Sequence, residues 1–499
     1  MTKILTCEQM RDADEYTIKG RGVPSQTLME RAGKALAAQA EKMSGNGRIL
    51  CVCGGGNNGG DGFICARLLR CGGYEIDAVC MANRFSADCQ IAKDNYVAAG
   101  GKVWTEFPQK EYSLVIDCLL GTGFHGALGG IYADAIHRIN DYKKGGAKVL
   151  SADIPSGVNG DNGSVEGVAV KADATVCLGE IKAGVYLGDG IDYSGEKLRA
   201  DIGIAVLEKE YATIIEREDV ANLLPKRNRN THKGSYGKAA IVAGSMQYTG
   251  AAYLSAAACL RAGAGYTTLF LPKSILPYYV LRLPEVLLQS VCEGEKFTFF
   301  EQDMEKLLSY DSIAYGMGMG CTEEVAKGAR YLLENYEGKL ILDADGINAL
   351  AAYENVAKVF KSKRCDVLIT PHVKEFSRLS GERVESILQG GMYAPTAFAK
   401  ENNVTVALKN AVTLITDGER VFVNVTGNAG QAKGGSGDVL SGVLAGLCAQ
   451  GFSTLDSARI GGYIVGKAAD IAVKKQGEYA LIASDVIEKL GEAFLSLRN

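Results

Sequence analysis

The sequence lacks an excess of charge of either sign. Its 499 residues include 54 Lys and Arg against 58 Asp and Glu, for a net charge of -4. A protein that binds nucleic acid usually carries a basic patch and a basic excess, so we expect no nucleic-acid partner. The charged fraction of 22% is ordinary for a water-soluble globular protein.

Long apolar runs are also missing. No stretch approaches the roughly 18 uninterrupted apolar residues that a membrane helix needs. The first residues, MTKILTCEQMRDADEY, contain acids and no apolar core, so we see no signal peptide. We therefore expect no membrane association and a cytoplasmic location.

Metal-binding patterns of the zinc type are absent as well. The four histidines have no metal-ligand spacing, and the 14 cysteines include no C-x-x-C pair. Cys51, Cys53, Cys65, Cys259 and Cys448 lie in apolar stretches. We predict that they are buried thiols in a reducing compartment, rather than disulfides or zinc ligands.

What the sequence has in abundance is glycine, and the most informative glycine-rich stretch is Gly427–Gly446, GNAGQAKGGSGDVLSGVLAG. A loop containing Gly434, Gly435 and Gly437 opens an apolar helix there. The free N–H groups and dipole of a helix start favour an anion, and Asp438 stands beside that position. Asp438 could therefore take a proton from a hydroxyl while the loop holds a phosphoryl group. A glycine turn with an N-cap aspartate explains the same residues without any catalysis.

A second glycine-rich stretch lies in the first half. The predicted strand Arg48–Cys53 is followed by the predicted loop Gly54–Gly62 and a helix, which is typical of a nucleotide-binding unit. The loop satisfies G-x-G-x-x-G, yet Met81–Asn83 after the next strand offers no acid for a ribose, which argues against an ordinary dehydrogenase. The polar side chains within the loop are the unusual feature.

Two further predicted strands of the first half end in polar residues. Asp117 closes an apolar run before the loop Gly121–Ala127, and Asp153 and Ser156 follow another. Strands that alternate with helices predict a Rossmann-like, doubly wound parallel sheet, whose ligands bind beyond the carboxyl ends of the strands. We expect Asp61, Asp117 and Asp153 to gather at that edge.

The motifs GGGNNGGDG, IDCLLGTGF and ADIPSGVNGD, in that order, resemble the epimerase domain of the NAD(P)H-hydrate repair enzymes over residues 1–215. The resemblance implies that Asn58, Asp117 and Ser156 hold a potassium ion, and we expect Asp117 to be catalytically important at this site. Oxygen ligands without thiols or imidazoles suit such a hard cation. The residues that would bind hydrated NAD(P)H are Asn57, Asn58, Gly59, Gly60, Asp61, Gly121, Thr122, Gly123, Phe124, His125, Gly126, Ala127 and Asp153.

We predict a linker at 216–230, where the apolar pattern lapses, and a second domain at 231–499. Strands and helices alternate again in that domain, and DADGINAL and TPHVKEFSRL put polar groups at strand ends. His372 follows such a strand, where a ligand contact and a core position are both open. A predicted strand ends at Lys409, and a predicted hairpin that follows it carries Thr413.

No G-x-x-x-x-G-K-[ST] motif occurs, so the second domain is not a P-loop nucleotidase. The late glycine loop indicates a ribokinase-like α/β fold, and AGSMQYTGAAYL, TPHVKEF, LKNAVT and NAGQAKGGSGDVLSG resemble the NAD(P)H-hydrate dehydratases. Met317 and Asn410 depart from the residues usual there, proline and glycine. The resemblance implies that Ala252, Gly318, His372 and Asp438 contact the hydrated nicotinamide nucleotide. It implies nucleotide binding by Lys409, Asn410, Ala411, Val412, Thr413, Gly434, Gly435 and Gly437.

Together, the two resemblances imply two enzymes in one chain. The first would interconvert the R and S epimers of hydrated NADH or NADPH (NADHX and NADPHX). The second would dehydrate the S form at the expense of ADP or ATP, with Mg²⁺ accompanying the nucleotide, and we expect a homo-oligomer. Two alternatives stay open: a vitamin-type or sugar-type kinase with an N-terminal nucleotide-binding module, and a first domain that only binds or scaffolds.

Overall fold

The computed structural model describes residues 2–45, 47–123, 126, 128–207 and 211–498. The chain divides into two compact units, of which the first comprises Thr2–Tyr211 and the second begins at Ala212. Three of the predicted substrate-binding residues, Phe124, His125 and Ala127, lie outside the described residues.

The first unit contains a sheet of parallel strand pairs in the order β4-β3-β2-β5-β6-β7-β9. Its strands, together with the short parallel pair β1 and β8, are β1 (Lys3–Leu5), β2 (Ile49–Cys53), β3 (Ile76–Cys80), β4 (Val103–Trp104), β5 (Leu114–Cys118), β6 (Lys148–Ala152), β7 (Ala174–Leu178), β8 (Ile181–Lys182) and β9 (Glu196–Ala200). Its helices are α1 (Cys7–Glu15), α2 (Ser25–Ser44), α3 (Asn57–Cys71), α4 (Ala87–Ala98), α5 (Gly130–Lys144) and α6 (Gly190–Tyr193).

The centre of this sheet is apolar because helices cover both of its faces. All residues of β2 and β5 are buried, including Asp117. The strand order reverses direction between β2 and β5, and in doubly wound sheets ligands bind beyond the strand ends at such a point. The loops after these two strands therefore mark the expected site.

The second unit contains a sheet in the order β13-β12-β11-β14-β15-β16-β17-β18-β19-β10, parallel except where β18 pairs with β17 and β19. Its strands are β10 (Ala212–Ile214), β11 (Lys238–Val242), β12 (Tyr266–Pro272), β13 (Leu287–Cys292), β14 (Ser312–Tyr315), β15 (Lys339–Leu342), β16 (Asp366–Ile369), β17 (Thr405–Lys409), β18 (Thr413–Thr416) and β19 (Val421–Asn424). Its helices are α7 (Arg217–Leu223), α8 (Thr249–Ala262), α9 (Glu301–Glu305), α10 (Glu323–Asn335), α11 (Asp345–Tyr353), α12 (Val356–Lys361), α13 (Val373–Ser380), α14 (Val384–Gln389), α15 (Tyr393–Asn402), α16 (Ser436–Ala449), α17 (Thr454–Gln476) and α18 (Ala483–Leu495).

Helices α8 and α16 of the second unit pack against each other through small residues. A Cβ on Gly442 would lie 2.1 Å from the carbonyl oxygen of Ser255, and one on Gly446 would lie 2.7 Å from that of Cys259. Only glycine lets the two backbones approach this closely. The contact fixes the position of α16, whose first turn carries Asp438.

The structure differs from the predicted linker at 216–230. Ala212–Ile214 pair with β19, and the helix α7 occupies much of the predicted linker, with Val220 fully buried. Because this helix is only seven residues long and charged residues surround Val220, no apolar periodicity is visible there in the sequence. The structural boundary at Tyr211–Ala212 therefore precedes the predicted one.

The cysteines are free thiols, as predicted from the sequence. Of the 14, only Cys71 and Cys321 are exposed. No helix among the described residues has the length and apolar character to cross a membrane.

Candidate functional sites

The first unit has a cavity of about 690 Å³ at the point where the strand order reverses. It is lined by residues after β2, after β5 and at the end of β6, and by side chains of α1. The predicted site residues that line it are Asn57, Asn58, Asp61, Gly121, Thr122, Gly123 and Asp153. Residues that were predicted from three separate motifs therefore line one cavity, but the predicted local structure of one segment needs a correction.

The correction concerns Asn57–Asp61, which the sequence placed in a loop. Helix α3 begins at Asn57, so these residues form its first turns. Two glycines allow this because the helix is packed tightly: a Cβ on Gly60 would lie 2.6 Å from Sδ of Met29, and one on Gly62 would lie 2.7 Å from Cβ of Cys118. The free N–H groups of the helix start therefore face the cavity region, where an anion is favoured.

Asp117 lies beneath the cavity rather than in its wall. The carboxylate is fully buried, and Ser156 Oγ (2.6 Å), Ser156 N (2.9 Å) and Ser151 Oγ (2.9 Å) donate hydrogen bonds to it. Burial raises the pKa of Asp117, and these hydrogen bonds oppose the rise. No ion pair to Asp117 is found among the described side chains, so its negative charge lacks a neighbouring cation.

Asn58 extends this polar group. Its Nδ2 donates to the carbonyl oxygen of Leu120 over 2.8 Å, whereas its buried Oδ1 has no hydrogen-bond partner in the part of the chain that is described. The Leu120 N–H also donates to Ser156 Oγ over 2.9 Å. Asn58, Asp117 and Ser156 are thus brought together, and they present a buried oxygen acceptor and an uncompensated negative charge.

Asp153 has an unusual backbone conformation for a non-glycine residue, with φ of 67°. Its Oδ1 accepts a hydrogen bond from the buried Lys182 Nζ and another from the Leu178 N–H. Strain of this kind persists only where surrounding contacts enforce it, and it concentrates at functional sites. The Lys182 ion pair is one such contact, and sequence reasoning missed it.

Two further carboxyl groups line the same cavity. Asp61 is 8% exposed, and burial raises its pKa well above the ordinary value, with the charge of Asp153 adding to the rise. Burial raises the pKa of Asp14 to about 6. Asp14 was also missed, because it lies in a helix far from the glycine motifs and nothing in MRDADEY distinguishes it from a surface acid.

The candidate site of the second unit surrounds the first turn of α16. Gly435 is its N-cap in the left-handed region, with φ of 98°, and Asp438 stands three residues later. Burial raises the pKa of Asp438 to about 7, and the charge of Asp343 adds to that rise. Asp438 is therefore poised to accept a proton near neutral pH.

A buried ion pair lies next to this loop. Lys409 Nζ donates to Asp343 Oδ1 over 2.9 Å, and Ser441 Oγ donates to Asp343 Oδ2 over 2.7 Å. A Cβ on Gly437 would lie 3.3 Å from Lys409 Nζ, so the loop passes directly over the pair. The polar strand end DADGINAL is visible in the sequence, but neither Asp343 nor Ser441 was predicted to belong to the site.

His372 is the N-cap of α13 and is not a core histidine. Its imidazole accepts from the N–H groups of Lys374 and Glu375, and half of its side chain is exposed. The residue forms a parallel bridge with Lys409, which places it near the ion pair. Its exposed half leaves a ligand contact open.

Gly318 lies against the start of α8, the helix that carries Ala252. Gly318 has φ of 66°, and a Cβ there would lie 2.8 Å from Cβ of Ala251, next to Ala252. Ser245 Oγ donates to the Gly318 carbonyl over 2.9 Å, and Met317, in place of the usual proline, is fully buried. Hydrogen bonding and burial therefore hold the loop without the proline ring.

The predicted nucleotide-binding residues Asn410–Val412 form the turn between β17 and β18. Asn410 N donates to the Val412 carbonyl over 3.1 Å, and Lys409 faces Thr413 across the antiparallel pair. The predicted strand that ends at Lys409 and the predicted hairpin after it, formed by β18 and β19, are confirmed. Gly434 has no atom within 4 Å of a would-be Cβ, so that part of the glycine loop borders open space.

Comparison with known families assigns both halves of the chain. Residues 239–491 match the family described as NAD(P)H-hydrate dehydratase, and residues 25–184 match the family described as YjeF-related protein N-terminus. The match to a dehydratase family favours the repair reading over the kinase alternative.

Curated relatives match along the whole chain. The bifunctional NAD(P)H-hydrate repair enzyme Nnr of Thermofilum pendens is 36% identical and aligns with 100% of this chain and 97% of its own length. The enzyme of the same name from Moorella thermoacetica is 32% identical, over 98% and 96%. Among solved structures, the ADP/ATP-dependent NAD(P)H-hydrate dehydratase of Bacillus subtilis, crystallised with ATP and Mg²⁺, has a TM-score of 0.50 and 27% identity. It covers 57% of this chain, and 99% of its own chain is matched.

Proposed function

The chain belongs to the family of bifunctional NAD(P)H-hydrate repair enzymes, and on that premise we propose which of its residues carry the two reactions. As a member, it is an isomerase that interconverts R and S hydrates of NADH and NADPH. It is also a lyase that dehydrates the S hydrate at the expense of ADP or ATP. The second reaction leaves AMP or ADP, phosphate and the reduced dinucleotide.

The cavity of the first unit binds the hydrated dinucleotide. Its volume of about 690 Å³ suits a large ligand, and the start of α3 offers unpaired N–H groups for the diphosphate. Arg11 and Arg84 also line the cavity and supply positive charge for the same group. Asp153 and Asn57 complete the set of polar contacts at the strand ends.

Asn58, Asp117 and Ser156 hold a potassium ion next to this cavity. The supporting observation is that the Asn58 Oδ1 is buried without a partner, beside a buried carboxylate that has no ion pair among the described residues. Three neutral or anionic oxygens fit a hard monovalent cation. When bound, the ion would balance the charge of Asp117 and fix the loop that begins at Leu119. Asp117 thereby acts through the ion and the loop rather than on the substrate itself.

In the second unit, Asp438 is the base that takes the proton from the hydroxyl of the S hydrate. Its pKa of about 7 and its position behind the Gly434–Gly437 loop are the observations that support this role. The N–H groups of the loop stabilise negative charge on the phosphoryl group that is transferred to that hydroxyl. Loss of the phosphate then restores the ring double bond.

The adenine nucleotide lies against the β17–β18 turn, with its phosphates directed to the glycine loop. Lys409 links the two, because it ends β17 and its Nζ lies under Gly437. Mg²⁺ accompanies the nucleotide and shields its phosphates, and it needs few protein ligands since it keeps most of its waters. Among described residues no group of three or more His, Cys, Asp and Glu could hold a metal, which agrees with that mode of binding.

One experiment tests the function as a whole. The protein is incubated with a mixture of R and S hydrated NADH, Mg²⁺ and either ADP or ATP, and reduced-nicotinamide absorbance and inorganic phosphate are followed. We expect both epimers to be consumed and one phosphate to appear per NADH. A stable phosphorylated product without NADH would indicate a kinase instead. Homo-oligomer formation and a cytoplasmic location remain predictions.

A further inference from the structure

The cavity of the first unit holds more carboxyl groups than ligand binding requires. Asp61 is more than nine-tenths buried, lines the cavity, and has no hydrogen-bond donor or ion-pair partner among the described residues. Asp14 lines the same cavity and likewise has no side-chain partner in the described part of the chain. An unpartnered buried carboxyl group is destabilising, so its retention calls for a function.

The groups around these carboxyls come from separate elements. Asp14 and Arg11 lie on α1, Asp61 on α3, Asp153 at the end of β6 and Lys182 on β8. The exposed Arg84 borders the cavity from the loop after β3. Lys182 pairs with Asp153, and the charge of Lys182 lowers the pKa of Asp14 and Asp61 while that of Asp153 raises it.

The chemistry of the substrate needs two proton-transfer groups. The hydroxyl sits on the ring carbon bonded to the ring nitrogen, so the nitrogen lone pair can expel it once its oxygen is protonated. The C–O bond breaks, water leaves, and a C=N⁺ iminium forms. Water then adds to the opposite face of that carbon and loses a proton, which gives the other epimer.

We propose, on the basis of the epimerase function proposed above, that Asp61 and Asp14 are the acid and base of this epimerisation. In one direction Asp61 gives its proton to the departing hydroxyl and Asp14 takes the proton of the incoming water. The two carboxyls then exchange protons with solvent in the open cavity, and the reverse direction uses them in the opposite roles.

The electrostatics of the cavity agree with this assignment. Burial raises the pKa of Asp61 well above its usual value, which favours its protonated form, whereas burial raises the pKa of Asp14 only to about 6, so Asp14 is mostly ionised at neutral pH. Arg11, Arg84 and Asp88 also line the cavity, and the ionised Asp14 adds one negative charge to it. That charge stabilises the cationic intermediate.

The test uses the full chain and its own dehydratase reaction as the readout. Pure R hydrate is supplied with excess ADP and Mg²⁺ and the absorbance of NADH is followed. Asp61→Asn and Asp14→Asn should each slow conversion of the R hydrate by about 10²–10⁴-fold, down to the spontaneous rate. Dehydration of pure S hydrate should be unchanged, and Asp94→Asn, which removes an exposed carboxylate of the same unit, should change neither rate.

Two further readouts separate catalysis from a structural role. Asp61→Asn removes a buried, unpaired acid, so its Tm should equal or exceed that of the parent. R-to-S conversion is also followed directly by chromatography without ADP, because dehydration itself weakens below pH 7 as Asp438 is protonated. The parent rate of this conversion should fall below pH 6, where Asp14 becomes protonated, and this limb should be absent from the residual rate of Asp14→Asn. Parent-like conversion of R hydrate by Asp61→Asn, or an unchanged acid limb in Asp14→Asn, would overturn the assignment. A parent chain that does not convert R hydrate at all would contradict the epimerase function itself.

Discussion

Lys409 and Asp343 form an ion pair of 2.9 Å directly below the glycine loop of the second unit. Burial disfavours both charges, but the charge of Lys409 and the hydrogen bonds to Asp343 outweigh it and lower the pKa of Asp343. The ionised Asp343 in turn contributes to the raised pKa of Asp438. The pair thus connects the end of β17 electrostatically to the proposed base.

Removal of one member of this pair should destabilise the second unit. Lys409→Met leaves the buried Asp343 uncompensated, and such changes cost about 3–5 kcal/mol. The matched control is Lys273→Met, which breaks the exposed pair with Glu293 and should cost at most about 1 kcal/mol. Thermal and urea unfolding of the full chain measure both. Equal losses in the two variants would show that the buried pair contributes nothing special, and adding Asp343→Asn to Lys409→Met should restore part of the loss.

The pH dependence of dehydration should follow Asp438. A base with a pKa of about 7 is protonated and inactive below that pH, so kcat/KM for S hydrate should rise with pH and level off above about 7. Asp438→Asn should lose about 10²–10⁴-fold in rate while still binding nucleotide. Binding is measured by titration with ADP. Near-normal turnover by this variant would remove Asp438 from the mechanism.

Potassium should matter to one reaction only. Asp117→Asn keeps the size of the side chain but removes the charge that a bound cation would balance. We expect slower conversion of R hydrate and a loss of its potassium response, with dehydration of pure S hydrate unchanged. Rates measured in potassium and in lithium chloride decide this. A variant that keeps its potassium response would contradict the ligand assignment, and equal loss of both reactions would indicate a general folding defect.

The contact between α8 and α16 should not accept a methyl group. Gly442→Ala places a Cβ against the Ser255 carbonyl, and overpacking of this kind costs about 1–3 kcal/mol. Gly491→Ala is the control, since a Cβ in that α18 position meets no atom within 4 Å and should stabilise the helix by about 0.5–1 kcal/mol. Opposite shifts in Tm are expected. If Gly442→Ala is neutral, the helices have room to separate.

The two halves should be separable at the structural boundary. A chain that begins at Ala212 keeps β10 and α7, and we expect it to fold and to dehydrate S hydrate. A chain that begins at 231 lacks both, exposes the edge of β19 and should show a lower Tm. The complementary fragment ending at Tyr211 should convert R to S hydrate. Fragments that are folded by circular dichroism yet inactive until recombined would show that the active sites depend on both halves.

The sequence predicted the two α/β folds and the positions of both glycine-rich stretches, because apolar strands and glycine runs are local signals. Asp14, Lys182, Asp343 and Ser441 could not be assigned in this way. Each resembles an ordinary surface or strand-end residue until tertiary packing buries it beside a partner or a cavity. The first turn of α3 was misread as a loop for a related reason, since its glycines are helical only because neighbouring elements press against them.

The glycine contact between α8 and α16 also makes the two helices one mechanical body. Ala252 is carried by α8 and Asp438 by α16, so we expect the distance between Ala252 and the proposed base to stay the same whether or not ligand is present. The position of the base is therefore set when the chain folds and does not have to be adjusted at each turnover. We expect any adjustment to NADHX or NADPHX to fall to parts of the site outside these two helices, such as the half-exposed His372.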